Sequence, residues 1–329
     1  MILTILLFAA GTWLSTFNTP AAILCYFFAV WCIPLDRSLS TFTVKSIAAI
    51  LLIIFAAKDR LFSQPQNDNN LSVTFIDVGQ GDSTLIKLPD HEVILIDAGT
   101  RESAGEVIKT LKEQNIVSID YLIGTHPHAD HIGGIPAVLK EFNVISFIEP
   151  AMGDFSLPES YSAEQVYSGL KQRGIRIKTA VKDDIIAEGD NWKVQVLSPS
   201  AAAKFDDLND YSLIIKVSFG KTAFLFTGDA GYPAELEILN EDLACDVLKV
   251  GHHGSFGSTC AAFLAEADPS IGVISVGKEN KNNLPNDYIL QRLSEEGIQI
   301  LRTDESGSIT IVSDGSQIRV LTEKTAQKE

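Results

Sequence analysis

The chain has 329 residues, of which 46% are hydrophobic, and a formal net charge of −16 at pH 7. This length accommodates one large domain and a smaller part, and a mean hydropathy of +0.15 is high for a purely soluble protein. The acidic balance argues against broad nonspecific binding to nucleic acid, and four cysteines without a CxxC pair argue against a disulfide framework.

Apolar residues are concentrated at the N-terminus. Residues 1–34 contain no charged side chain, and a second apolar run covers residues 47–57. Both runs predict membrane-inserted helices within residues 1–62, because a secretory signal opens with positive charge and the first basic residue here is Arg37. A cleaved signal or a buried core helix is the alternative. Arg37 and Lys45 lie between the two runs, and Lys58 and Arg60 follow the second. The positive-inside rule therefore does not choose one membrane topology.

A polar segment follows the apolar runs. Residues 63–70 (SQPQNDNN) contain one proline and no apolar periodicity, which is typical of a linker, and we place the domain boundary there. Residues 1–70 carry four basic and three acidic side chains, so the net charge of −16 leaves −17 for the rest of the chain. The body of the protein is therefore strongly acidic.

Short β patterns alternate with helical patterns along the body. Its first half predicts strands at 71–78, 83–88, 92–97 and 120–125, and helices at 105–114, 135–142 and 161–172. Its second half predicts strands at 192–197, 212–219, 222–227, 246–250, 271–276, 299–302, 308–312 and 317–321, and helices at 232–240, 258–267 and 287–296. Two strand sets with interleaved helices predict an α/β fold, an αββα sandwich of two facing sheets. It covers residues 71–321, and 322–329 form a tail.

The segment THPHADHIGG, residues 125–134, begins where a predicted strand ends and holds three of the chain's six histidines. His126 and His128 alternate, so both imidazoles can point the same way, and Asp130 and His131 follow after a turn. This loop predicts two ligands for one metal ion and an Asp–His pair for a second, a pair of ions that would activate water at a phosphoryl or acyl centre. Surface histidines clustered by chance are the alternative, which so dense a motif disfavours.

Further ligand candidates follow two later strands. Asp229 comes directly after the predicted strand at 222–227, in FLFTGD, and is placed to bridge two ions. His252 and His253 follow the predicted strand at 246–250, in KVGHHGS. Taken alone, Asp229 could equally be a turn or helix-cap aspartate. The histidine loop earlier in the chain favours the ligand interpretation.

These residues resemble the metallo-β-lactamase superfamily, which is marked by HxHxDH, a later bridging aspartate and a final histidine. Six blocks narrow the resemblance to the C-terminal hydrolase domain of the ComEC family of DNA-uptake proteins. They lie in order across residues 71–320 and read FIDVGQGDS, LIDAG, THPHADHIGG, NDYSLIIKV, FLFTGD and LKVGHHGS. The apolar N-terminal helices resemble the end of that family's membrane channel domain.

The resemblance implies a two-metal phosphodiesterase that degrades DNA, with Zn²⁺ or Mn²⁺ suiting a ligand set of nitrogen and oxygen atoms. The implied metal ligands are His126, His128, Asp130, His131, Asp229 and His253. The implied catalytic residues are Asp130 and His252, the latter as a phosphate contact or acid, and the implied substrate contacts are Gln80, Asp82 and Ser255. Asp97 is expected to order the histidine loop rather than to bind metal.

The chain departs from the family pattern in a late loop, where Leu284 occupies the position expected to hold histidine. It also lacks most of a channel domain. Three hypotheses follow: a membrane-anchored nuclease, a phosphoester hydrolase of envelope polymers, or a catalytically weak accessory module of a DNA-uptake assembly. The expected location is the bacterial cell membrane, with the hydrolase domain on the outer face. The expected partners are the membrane, single-stranded DNA and a separate channel protein.

Overall fold

The structure is a computed structural model that describes residues 69–152 and 161–326. The predicted membrane helices at 1–62, and all of the predicted linker except Asn69 and Asn70, lie outside the described residues. Within the described ranges, no helix is long and apolar enough to cross a membrane.

The described residues form fifteen strands and nine α-helices. The strands are β1 Leu71–Phe75, β2 Thr84–Lys87, β3 Val93–Ile96, β4 Ser118–Ile123, β5 Asn143–Pro150, β6 Arg176–Ala180, β7 Ile185–Glu188, β8 Trp192–Ser198, β9 Ile214–Phe219, β10 Thr222–Phe226, β11 Val247–Lys249, β12 Ile271–Ile274, β13 Gln299–Arg302, β14 Ile309–Ser313 and β15 Ile318–Thr322. The helices are α1 Ala104–Glu113, α2 Ala129–Ile132, α3 Ile135–Glu141, α4 Tyr161–Arg173, α5 Tyr232–Glu237, α6 Ala261–Ala267, α7 Asp287–Glu295, α8 Thr303–Ser306 and α9 Glu323–Ala326.

The strands form two sheets, as the sequence predicts. The first has the order β15-β14-β1-β2-β3-β4-β5-β6, and the second has the order β13-β12-β11-β10-β9-β8-β7. One apolar cluster joins the inner faces of the two sheets, a second joins the first sheet to α1, α3 and α4, and a third joins the second sheet to α5, α6 and α7. The fold is therefore an αββα sandwich.

Alternation along the strands explains why both sheet faces are buried. In β10, Phe224 and Phe226 point between the sheets, whereas Leu225 packs against the outer helices. β4 shows the same division, with Ile123 inside and Leu122 outside. Strands covered on both faces read as nearly continuous apolar runs, which is the pattern that made them predictable.

Three strands were missed in the sequence: β5, β6 and β7. β6 is an edge strand, and four of its five residues are exposed, so its segment RIKTA carries little apolar pattern. β7 is the edge of the other sheet and has only four residues. Edge position alone does not hide a strand, because β13 and β15 are also edge strands and were predicted at 299–302 and 317–321.

Candidate metal centre

The histidine loop lies at the carboxyl end of two parallel strands. β3 and β4 run parallel, so Asp97 after β3 and the loop after β4 leave the sheet at the same edge. Asp97 Oδ1 accepts a hydrogen bond from Thr125 N at 2.8 Å, and its Oδ2 accepts one from Thr125 Oγ1 at 2.7 Å. Its Oδ2 also lies 2.7 Å from His131 Nδ1. Asp97 therefore orders the loop, and one of its carboxylate oxygens also lies within 4.8 Å of ligand atoms of Asp82 and His131, close enough for a metal ion.

Close backbone approaches fix the same loop from two sides. A Cβ added to Gly134 would lie 2.0 Å from Ala98 O, and one added to Gly81 would lie 2.4 Å from Asp130 O. The Asp82 N–H donates to that same Asp130 carbonyl at 3.1 Å. These contacts require glycine and join the loop to the segments that follow β1 and β3.

The second sheet supplies the remaining candidates in the same manner. β10 and β11 are parallel, so Asp229 and the His252–His253 pair emerge together. His252 and His253 have φ angles of 47° and 54°, and Gly254 has 79°. Two successive histidines in the left-handed region are strained, and such strain is concentrated at functional sites. The turn directs His253 inwards, where it is buried, and leaves His252 half-exposed.

Three imidazoles surround one carboxylate oxygen of Asp229. Its Oδ2 lies 3.2 Å from His131 Nε2, 3.5 Å from His253 Nε2 and 3.6 Å from His252 Nε2. Asp130 Oδ2 completes the group at 3.5 Å from His253 Nε2. One ligand atom from each of Asp130, His131, Asp229 and His253 lies within 4.8 Å of the others, close enough to hold an ion.

His126 and His128 adjoin this group. His126 Nε2 is 3.0 Å from His128 Nδ1, and the His126 and His131 ring centroids are 4.1 Å apart. Ser212 Oγ supports His126 from the second sheet, 3.3 Å from its Nδ1, and also accepts from Asp229 N at 3.1 Å. The structure thus brings together all six predicted metal ligands and His252.

A buried ion pair beneath the cluster is absent from the predicted set. Lys249, the last residue of β11, is 3% exposed, and its Nζ pairs with Asp82 Oδ2 and donates to Gly228 O at 3.1 Å. Asp82 Oδ1 lies 3.4 Å from His253 Nδ1. The structure therefore buries Asp82 beneath the histidine cluster, although the family resemblance implies a substrate contact at this residue. A lysine inside a buried strand just before GHHGS was the signal available in the sequence.

Burial and charge shift the pKa values of these groups in opposite directions. Burial opposes ionisation of Asp229, but the charges of His131 and His253 hold its pKa well below the usual range. Burial likewise opposes protonation of His253, but Asp229 and Asp82 raise its pKa to about 10. Burial lowers the pKa of His126, which leaves a neutral imidazole able to ligate metal.

The residues present fit divalent cations. Among the described side chains, Asp82 Oδ1, His131 Nε2, Asp229 Oδ1 and His253 Nε2 are buried polar atoms without a hydrogen-bond partner. Such orphaned atoms are costly unless something binds them. Four carboxylates, from Asp82, Asp97, Asp130 and Asp229, outnumber the three cationic groups near them, Lys249 and the protonated His131 and His253. An ion held there offsets this negative charge and takes the orphaned lone pairs.

The other predicted substrate contacts and the late loop lie around this cluster. Gln80 Oε1 accepts from Gly277 N at 3.3 Å, so Gln80 joins the late loop to the β1–β2 segment. Ser255 is half-buried and follows the His252–His253 turn. Leu284 is half-buried and packs against the third apolar cluster, and the Asn280 side chain bonds its backbone N–H and carbonyl at 2.8 and 2.7 Å.

A cluster of imidazoles and carboxylates at the joined edges of an αββα sandwich defines a metal-dependent hydrolase. The chain belongs to the metallo-beta-lactamase superfamily, whose sequence profile matches residues 76–278. This assignment agrees with the resemblance seen in the sequence.

Competence proteins are among its relatives. The chain is 32% identical over 309 residues to ComE operon protein 3 of Bacillus subtilis, covering 88% of this chain and 39% of the relative. It is 29% identical over 265 residues to competence protein ComA of Neisseria gonorrhoeae, covering 79% of this chain and 35% of the relative. The chain therefore spans less than two fifths of either relative. A solved CmlA beta-hydroxylase mutant shares the fold, with a TM-score of 0.50 and 12% identity over 87% of this chain and 61% of its own.

Proposed function

We propose that the protein is a two-metal phosphodiester hydrolase that degrades DNA during its uptake at the bacterial cell membrane. The observation that carries the proposal is the approach of three imidazoles to Asp229 Oδ2, with His126 and His128 next to them. Seven nitrogen- and oxygen-bearing side chains in one cluster exceed the needs of a single tetrahedral ion, which supports two ions, Zn²⁺ or Mn²⁺. The similarity to competence proteins supports the substrate.

Each residue has a distinct part in this proposal. His126, His128, Asp130, His131, Asp229 and His253 would hold the ions, which supply Lewis acidity towards the phosphate and lower the pKa of water. Asp97 orients the His131 ring through Nδ1. Asp130 is 35% exposed at its side chain and is the carboxylate of the cluster that is open to a reacting water. His252 would act as a phosphate contact or as the acid for the leaving oxygen, because its Nε2 lies 3.6 Å from Asp229 Oδ2 and its side chain is 33% exposed.

Location and partners belong to the same proposal. The uncharged residues 1–34 and the apolar run 47–57 support an anchor in the cell membrane, and degradation of incoming DNA places the hydrolase domain on the outer face. A separate DNA-uptake channel protein is a proposed partner, which the similarity to competence proteins supports. Single-stranded DNA is the proposed substrate.

Two other functions each have an observation in their favour. The charge of −17 on the body disfavours a polyanionic substrate and leaves room for a phosphoester hydrolase of envelope polymers. Leu284, at the position expected to hold histidine, favours an accessory module with little activity. Its packing in the third apolar cluster gives it a structural role that a histidine would not fill as well.

Purified full-length chain tests these possibilities. It is incubated with Zn²⁺ or Mn²⁺ and one of three substrates: single-stranded DNA, bis(p-nitrophenyl) phosphate or a phosphomonoester. We expect metal-dependent cleavage of both diesters that is abolished in His128→Ala and Asp229→Ala. His91→Ala, which replaces the remaining histidine, in the β2–β3 turn, is the matched control and retains activity.

The outcomes separate the three functions. Cleavage of the monoester alone favours the envelope hydrolase over the nuclease. A wild-type chain that is inert with every metal and every substrate removes the enzymatic proposal. Activity gained by Leu284→His would show that this position limits a site that is otherwise competent.

A further inference from the structure

Two aromatic side chains are exposed next to each other on the described surface. Phe256 is 56% exposed and Tyr288 is 54% exposed. Every other Phe, Tyr or Trp side chain described by the structure is buried or half-buried. Their ring centroids are 5.5 Å apart with an interplanar angle of 59°. Exposed aromatic rings are unfavourable in water, so a contiguous pair indicates a contact surface.

This pair lies beside the candidate metal centre. Phe256 is three residues after His253, so their Cα atoms are separated by at most about 11 Å. Tyr288 is three residues after Pro285, whose Cβ lies 2.6 Å from the position that a Cβ on Gly254 would occupy. The segment that carries Tyr288 therefore packs directly on the histidine turn.

Neighbouring groups hold the Tyr288 ring and the backbone of Phe256 in place. The Arg292 guanidinium lies 5.2 Å from the Tyr288 ring centroid, a cation–π distance, and also donates to Thr259 O. Tyr288 is the second residue of α7, and its N–H donates to the capping Asn286 side chain at 2.9 Å. The Tyr232 hydroxyl donates to the backbone carbonyl of Phe256 and so fixes the backbone that carries the second ring. The Tyr288 ring is therefore positioned before a ligand arrives, which lowers the entropy cost of binding.

We propose that Phe256 and Tyr288 form a nucleobase-stacking subsite for the nucleotide next to the scissile phosphodiester. The proposal rests on the proposed function, in which a nucleic acid brings a flat base near the phosphate that the metal centre holds. Stacking does not depend on charge, so it supplies affinity that the body's charge of −17 withholds from the phosphate backbone. A base can stack there only after leaving its duplex, which selects single strands.

The test compares two oligonucleotides with identical backbones, a single-stranded 12-mer of thymidine and an abasic 12-mer. Binding to the full-length chain is measured by fluorescence anisotropy in the presence of chelator, so that neither strand is cleaved. Because both strands carry the same phosphates, the ratio of their dissociation constants isolates the contribution of the bases.

The wild-type chain is expected to bind the thymidine strand more tightly. Phe256→Ala and Tyr288→Ala should each weaken that binding by about 5-fold to 150-fold and shrink the ratio accordingly. Phe256→Trp should keep the ratio, because indole also stacks on bases. Leu321→Ala removes an exposed apolar side chain from β15 and serves as the control, with the ratio unchanged.

Equal affinity of the wild-type chain for both strands overturns the subsite, as does a ratio that survives both alanine changes. Variants that keep the ratio but lose binding of another protein chain would make the pair a protein interface. Failure of the proposed function gives a different result. In that case the ratio of the two dissociation constants still changes as expected in the alanine variants, but no phosphodiester is cleaved with any metal.

Discussion

Asp97 is the residue on which the geometry of the histidine loop depends most directly. Its carboxylate accepts from Thr125 N and Thr125 Oγ1 and lies 2.7 Å from His131 Nδ1. In Asp97→Asn one oxygen becomes an amide N–H that faces at least one of these donors. We expect the variant to fold and its metal affinity to fall by about 10- to 100-fold, measured by competition with a chromophoric chelator.

Asp314→Asn is the matched control for this change. Asp314 accepts backbone bonds from Ser316 and Gln317 in the turn between β14 and β15. The control variant carries the same Asp-to-Asn change in a hydrogen-bonded aspartate outside the metal centre. We therefore expect the metal affinity of Asp314→Asn to equal that of the wild-type chain. Equal affinities for Asp97→Asn and the wild-type chain would show that the loop keeps its form without this carboxylate.

Lys249 balances the buried charge of Asp82. Both side chains are almost fully buried, so Lys249→Met removes the nearest counter-ion of Asp82 and leaves only His253, at 3.4 Å, to offset its charge. We expect the free energy of unfolding, measured with urea in the presence of chelator, to fall by about 3–5 kcal/mol. The pair Lys249→Met with Asp82→Asn should recover most of that loss, because the unpaired charge is gone. A double variant no more stable than Lys249→Met would mean that the pairing is not the cause.

At the level of elements, the junction between α3 and the first sheet depends on Gly134. A Cβ there would lie 2.0 Å from the Ala98 carbonyl, a backbone atom that cannot rotate away. We expect Gly134→Ala to lower the free energy of unfolding by about 1–3 kcal/mol, measured by urea denaturation. Gly105→Ala in α1 is the control. Nothing lies within 4 Å of a Cβ at Gly105, so this change should be neutral or stabilising by up to about 1 kcal/mol. Equal effects at both glycines would contradict the close approach.

The sequence predicted most central strands of both sheets, and also the poorly buried edge strands β13 and β15. Central strands such as β1, β3 and β10 were identified because apolar residues fill both faces. Predicted ends extended past the observed ones, as at 71–78 against Leu71–Phe75, because FIDVGQGDS continues the apolar pattern into the loop. β5 was missed because only Phe142 separates it from helix α3, and the turn-forming residue at the change, Asn143, is itself the first residue of the strand.

The candidate site was predictable to the extent that its residues follow strands. The order of motifs located the histidine loop, Asp229 and the His252–His253 pair, because strand ends gather at one edge. Which atoms meet was not predictable. The pairing of Lys249 with Asp82, and their position under His253, depend on residues 167 positions apart in the chain and on the packing of two sheets.

At the scale of the whole molecule, the metal centre joins the two sheets. His126, Asp130 and His131 follow the first sheet, whereas Asp229 and His253 follow the second. Ions held between them therefore bind the folded chain and not the unfolded one, so metal binding and folding are linked. A metal concentration about 1,000 times the dissociation constant stabilises a protein by about 4 kcal/mol, or about 8–16 °C in Tm for this size.

This stabilisation should grow as pH rises. The pKa of His253 is raised to about 10 in the metal-free fold, so its proton stabilises that fold fully below the unfolded value of about 6.5. That contribution is lost as pH rises towards 10. The pKa of Asp229 is lowered, so its contribution is present above about pH 4 and stays constant across this range. Metal replaces the histidine proton, so the metal-loaded fold escapes the loss.

We therefore expect the difference in Tm between Zn²⁺-loaded and chelator-treated full-length chain to widen from pH 6.5 to 8.5, measured by differential scanning calorimetry. Asp229→Ala removes the carboxylate that His131, His252 and His253 approach, so its two Tm values should coincide at every pH. A difference that narrows as pH rises would mean that protons and metal do not compete for His253. A difference that persists in Asp229→Ala would place the stabilising ion elsewhere in the chain.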